Sequence, residues 1–141
     1  MRKTVAVDGH FLTALLDKGV RPPSVIALID QLSRENAKVI VPTPALAEAL
    51  THAKEAGPAY LEQINGCACF QVRPFDDKAS IELAHLLGKN VADMRDILRF
   101  DRQIVAIAKV YGATTLYADN ENVAAFAAEC GIEAKGLKDL G

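Results

Sequence analysis

Short apolar runs of four or so residues alternate with segments that repeat apolar side chains every three or four positions, and this alternation constrains the chain most. Thr4–Val7, Lys38–Val41, Cys69–Val72, Thr114–Tyr117 and Ile132–Ala134 read as strands. Between them, Val25, Leu28, Ile29 and Leu32 mark one face of a helix opened by Pro22 and Pro23. Ile104, Ile107, Ala108 and Tyr111 mark another, stopped at Gly112, and Val123, Phe126, Ala127 and Cys130 a third, stopped at Gly131. Phe11–Leu16 reads as a helix, and Thr43 with Pro44 as an N-cap and first helical residue of one running to about His52. Gly57-Pro58 breaks it and opens a helix ending near Gly66. Asp76 or Asp77 caps one ending at Gly88, and Val91, Met94 and Leu98 suggest a short further one. Strands separated by helices require crossover connections and therefore a parallel sheet covered on both faces. The expected fold is an α/β three-layer sandwich with a parallel sheet of about five strands, in one domain over residues 1–141.

Size and composition agree. A chain of 141 residues, 50% hydrophobic and 24% charged, buries enough surface to fold without disulfides or metals. Three cysteines argue against a disulfide framework, and Cys67, Cys69 and Cys130 read as small buried residues of a cytoplasmic protein. No apolar run is long enough to span a membrane, and Asp8 interrupts the apolar N-terminal stretch, so neither a span nor a signal peptide is expected. A net charge of −2 excludes a protein that coats nucleic acid by bulk charge, though not one that acts on it locally.

In parallel sheets, ligands bind beyond the carboxyl ends of the strands. Asp8 directly follows the first strand, Glu48 lies just over a turn into the helix after the second, and Asp119 follows the fourth by two residues. Asp101 opens a helix whose N-terminus belongs at the same edge. Each has a bland reading: Asp8 and Asp119 as helix caps, Asp101 as a first-turn acid favoured by the helix dipole. Glu48 is harder to explain away, because a carboxylate among core positions needs a partner. Carboxylates gathered at one edge repel one another, and a divalent cation relieves this; oxygen ligands suit Mg²⁺ or Mn²⁺. The predicted chemistry is metal-assisted hydrolysis of a phosphodiester.

Four segments carry a resemblance. Val5-Ala6-Val7-Asp8-Gly9-His10-Phe11-Leu12 is similar to the opening of PIN-domain ribonucleases. Val41-Pro42-Thr43-Pro44-Ala45-Leu46-Ala47-Glu48 is similar to their second motif, Asp101-Arg102-Gln103-Ile104 to their third, and Leu116-Tyr117-Ala118-Asp119 to their fourth. The motifs keep the family's order over nearly the whole chain, whose length matches single-domain VapC-type toxins of toxin–antitoxin pairs. The resemblance implies Asp8, Glu48, Asp101 and Asp119 as metal-binding acids, with Asn122 near the metal. It implies Mg²⁺- or Mn²⁺-dependent cleavage of RNA, a homodimer, and often a small antitoxin protein. Two places depart from the family pattern. Gly9-His10 stands where Thr, Ser or Asn commonly follows the first Asp, and Tyr117 where Thr or Ser commonly precedes the last.

Arg99 and Arg102 are candidates for RNA phosphates, since Arg suits bidentate phosphate contacts, and His10 for contact with substrate. The bland reading of the arginines, with Arg95, is a solvated face paired with Asp93 and Asp96; that of His10 is an ordinary packed or exposed histidine. Tyr60, Leu61 and Ile64 are either core or a dimer surface. Two other functions compete with hydrolysis. One is a non-catalytic PIN-like module that binds RNA or a protein. The other is a receiver-like domain that takes a phosphoryl group on an Asp, which usually wants a second acid adjacent to the first; none neighbours Asp8.

Overall fold

Successive residues of a buried strand face opposite sides of the sheet, and this chain has apolar side chains for both. The computed structural model describes residues 2–19, 21–88 and 99–140. Strands β1 (Thr4–Val7), β2 (Lys38–Pro42), β3 (Phe70–Arg73), β4 (Thr115–Tyr117) and β5 (Glu133–Lys135) form one five-stranded sheet, ordered β3-β2-β1-β4-β5. Every pairing is parallel, with Val5 opposite both Val39 and Thr115. On one face Val5, Val7, Val39, Val41 and Tyr117 pack against α1 (Gly9–Leu16), α2 (Pro23–Arg34) and α4 (Gly57–Asn65). On the other, Ala6, Ile40 and Leu116 pack against α5 (Asp77–Leu87), α6 (Phe100–Val110) and α7 (Glu121–Glu129). Helix α3 (Thr43–Ala53) serves both cores, Ala45 in one and Ala49 in the other. Fully buried Leu12, Leu16 and Leu83 each contribute roughly 1.5–3 kcal/mol of burial.

The expected α/β architecture is the one found. The differences from the sequence reading are local. Thr43 is the first residue of α3 and makes no side-chain cap; Pro42 holds the cap position. The break after α3 comes at Lys54, whose φ of 53° opens a short 3₁₀ turn, Lys54–Ala56, ahead of Gly57. β5 starts one residue late because the Ile132 N–H donates to Ala127 O (2.9 Å) and closes α7. Tyr60 and Ile64 are core, while Leu61 is exposed. Asp76 caps α5 through Ala79 N, as expected. The helix suggested by Val91, Met94 and Leu98, and the pairing of Arg95, fall outside the described residues. Among the described residues no helix is long and apolar enough to cross a membrane.

The cysteines require a correction. Cys67 and Cys69 are joined as a disulfide and are only half-buried. After Gly66 ends α4, Phe70 N donates to Cys67 O, and this turn folds the two Cα atoms to 5.3 Å. Both line a cavity of about 620 Å³ with Leu16, Arg21, Leu32 and Phe70. It has no carboxylate in its wall, so the chemistry expected of the acids does not belong there.

Candidate functional site

The sheet order places the topological switch between β1 and β4, since the chain leaves β1 towards β2 and leaves β4 towards β5. Asp8 stands at that switch and is 1% exposed. Its own N–H donates to Tyr117 O (2.9 Å). Its Oδ1 accepts from Phe11 N (2.8 Å), capping α1, and its Oδ2 accepts from Asn120 N (2.9 Å) in the loop after β4. One side chain thus ties together two loops that meet at the sheet edge. Burial pushes the Asp8 carboxyl above the ordinary aspartate range; the two backbone N–H groups and His10 pull against this, and Glu48 adds to it. The capping reading of Asp8 is correct, and it leaves a desolvated carboxylate beside a second carboxylate.

Glu48, on α3, lies over Gly9, the residue that follows Asp8. A Cβ at Gly9 would lie 2.0 Å from Glu48 Oε1 and 2.7 Å from Glu48 Cβ. Only glycine fits under this side chain, which gives the Gly9 departure from the family pattern a steric cause. Glu48 Oε2 lies 3.6 Å from His10 Nε2. His52, one helical turn beyond Glu48, completes a group: the donor atoms of His10, Glu48 and His52 lie within 4.8 Å of one another. The sequence reading missed His52. Its signal was the Glu48-x-x-x-His52 spacing, which puts both side chains on one face of α3.

The other expected site residues are placed differently. Asp101, in the first turn of α6, is held bidentately by Arg99, with Nε–Oδ1 3.1 Å and Nη2–Oδ2 2.9 Å. Asp119 is exposed and accepts from Leu137 N (3.3 Å). Asn120, not Asp119, caps α7, accepting from Asn122 N and Val123 N. Asn122 is exposed. Arg102 lays its guanidinium over the Phe126 ring, 4.1 Å from the centroid, with Nε buried and without a partner among the described residues. Tyr117 is core, its ring 5.0 Å from that of Phe11. Among the described residues, Asp8, Asp101 and Asp119 all stand outside the group whose donors converge within 4.8 Å, and Glu48 is the one expected acid inside it.

The chemistry of the acids suits a divalent cation near Asp8 and Glu48. Its donors are carboxylate oxygens, the hard ligands Mg²⁺ and Mn²⁺ prefer, and a buried carboxyl raised by its surroundings gains from a cation nearby.

No protein-family model and no curated protein matches the sequence. Solved structures do. A chain of the VapBC2 complex from Rickettsia felis, bound to a DNA fragment from its promoter, superposes with a TM-score of 0.65 at 16% identity, covering 94% of this chain and 98% of that one. A chain of DNA-bound VapBC from Salmonella typhimurium gives 0.63 at 16%, covering 96% and 98%. A chain of FitAcB from Neisseria gonorrhoeae gives 0.65 at 17%, covering 93% and 96%. End-to-end coverage and a common sheet show that the chain has the PIN-domain, VapC-like fold.

Proposed function

We propose that residues 1–141 form a single-domain, divalent-metal-dependent endoribonuclease, the toxin of a toxin–antitoxin pair, acting in the cytoplasm. The observation that carries this reading is Asp8: a buried carboxyl at the switch point of a PIN-type sheet, with Glu48 over the adjacent Gly9 and close enough to raise it. Asp8, Glu48, Asp101 and Asp119, with Asn122, would hold Mg²⁺ or Mn²⁺. Such an ion, when bound, supplies an acidified water and charge stabilisation at a phosphoryl oxygen.

The chain's own groups divide the remaining work. Phe11 N and Asn120 N fix both oxygens of Asp8, so this carboxylate needs no reorientation to serve as a ligand. Gly9 lets Glu48 approach it. Arg99 neutralises Asp101 and, being 42% exposed, is free to exchange that partner for an RNA phosphate. Arg102 and His10 complete the proposed RNA-binding set, Arg102 from its stack on Phe126 and His10 as the exposed residue of the first turn of α1. The likeness to chains of VapBC and FitAB complexes supports an antitoxin partner, and a homodimer is proposed from the resemblance in sequence.

The Arg99–Asp101 pair favours a second reading, a PIN-type module that binds RNA or a protein without cutting, because it fills one expected ligand with an internal cation. Cleavage of mixed RNA by the wild type and Asp8→Asn, each with Mg²⁺, Mn²⁺ or EDTA, separates the two. Metal-dependent cleavage lost in the variant supports the nuclease. Absence of both cleavage and calorimetric metal binding supports the module.

A further inference from the structure

Beside the carboxylates stands a donor set of another kind. Glu48 and His52 share one face of α3, and His10 meets them from the first turn of α1. The two imidazoles sit edge to face, with ring centroids 6.2 Å apart and planes at 87°. His10 Nε2 is 3.6 Å from Glu48 Oε2, and the three donor atoms lie within 4.8 Å of one another. We propose that His10, Glu48 and His52 form a binding site for a borderline divalent cation of the Zn²⁺ type, one that takes Glu48 from the carboxylates assigned to Mg²⁺ or Mn²⁺ and adds two imidazoles.

Chemistry selects the ion. Imidazole nitrogen suits Zn²⁺ and Co²⁺, whereas Mg²⁺ takes oxygen and keeps its waters. Two histidines and one glutamate make a three-ligand set that leaves a fourth tetrahedral position for water. Geometry permits it. Bonds of about 2.0–2.1 Å to a tetrahedral ion separate the ligand atoms by roughly 3.4 Å. The His10–Glu48 pair is already near that spacing at 3.6 Å. The widest gap, at most 4.8 Å, closes by side-chain rotation alone, since both histidines are exposed. Gly9 leaves room for the third ligand, because a Cβ there would fall 2.0 Å from Glu48 Oε1, so the carboxylate lies over the α1 backbone next to His10. The site goes beyond the nuclease reading and shares Glu48 and His10 with it.

The test is a Co²⁺ titration of the full chain followed by visible absorption, which reports ligand type directly and requires no catalysis. The expected result is a one-to-one complex with the d–d bands of four-coordinate nitrogen and oxygen ligation, displaced by equimolar Zn²⁺ but not by a hundredfold excess of Mg²⁺. His52→Ala, a change at an exposed position, should weaken Co²⁺ at least tenfold while leaving the circular dichroism spectrum unchanged. Asp119→Asn should leave the titration as in the wild type. Equal titration of wild type and His52→Ala, or displacement by Mg²⁺, overturns the proposal. Loss of the signal in Asp119→Asn alone does so too, by placing the ion among the carboxylates, as do sulfur charge-transfer bands, by placing it on a cysteine. Failure to cleave RNA would leave this result standing, since the spectrum reads the imidazoles and not turnover.

Discussion

Replacing Gly9 by Ala adds one methyl group at the most crowded contact between α1 and α3. The new Cβ would fall 2.0 Å from Glu48 Oε1 and 2.7 Å from Glu48 Cβ. The carboxylate can swing away, but Glu48 Cβ is fixed by the backbone of α3, so relief requires the two helices to part by several tenths of an ångström or more. Overpacking of this kind costs typically about 1–3 kcal/mol. Against it stands the helix preference for Ala over Gly, at most about 1 kcal/mol and less at a helix start. The net expectation is a loss of about 1 kcal/mol. With a urea m-value of about 2 kcal/mol/M, the unfolding midpoint should fall by roughly 0.5 M at unchanged m. RNA cleavage and Co²⁺ affinity should fall together, because each depends on where Glu48 lies. A variant more stable than the wild type, with both readouts intact, would refute the steric account of Gly9.

Other perturbations probe the same frame. Phe126→Ala removes a buried ring from the core and the platform under Arg102, and should cost about 3–5 kcal/mol in chemical denaturation. Arg102→Met should stay within about 1 kcal/mol of the wild type, since the lost cation–π contact is offset by removal of a buried Nε without a partner among the described residues; a much larger loss would reveal a polar partner. Arg99→Ala should cost on the order of 1 kcal/mol, since Arg99 is 42% exposed but leaves Asp101, 10% exposed, without its partner, while weakening RNA binding in a salt-dependent manner measurable by fluorescence anisotropy. The Tyr111 hydroxyl, with Ala79 N, holds the Asp76 carboxyl below its ordinary range. A depressed carboxyl stabilises the fold above the ordinary aspartate value and loses that contribution as pH falls through its folded value. Tyr111→Phe should therefore show a deficit in urea midpoint at pH 7 that narrows at pH 3, and a constant deficit would contradict the assignment.

The layered fold was legible because its cause is periodic. Val5, Ala6 and Val7 must serve two cores at once, and such runs separated by 3.6-period segments have few other solutions. Asp8 was legible for the same reason, as the first polar residue after a buried strand. What the sequence concealed depended on contacts between distant segments or on rotamers. The Arg99 fork on Asp101 and the Arg102 stack on Phe126 compete with any role facing solvent, and only packing decides between them. Tyr117 occupies an edge position in sequence, yet its ring turns inward onto Phe11. The Cys67–Cys69 link follows from a tight turn after α4 that composition does not report. His52 required treating α3 as a surface with two donors on one stripe, while the pattern of acids drew attention to Glu48 alone.

The bond from Asn120 N to Asp8 Oδ2 spans 112 positions of chain. During synthesis from the N-terminus, Asp8 is made early, with α1 to receive its other oxygen. The loop that claims the second oxygen exists only after β4 has been made and has slotted beside β1. Until that strand is in register, the acid at the switch point is half-tethered and open to water. Its final orientation and its burial are acquired in the same late step. A chain assembled in this order completes the surroundings of this carboxyl only near the end of its own manufacture.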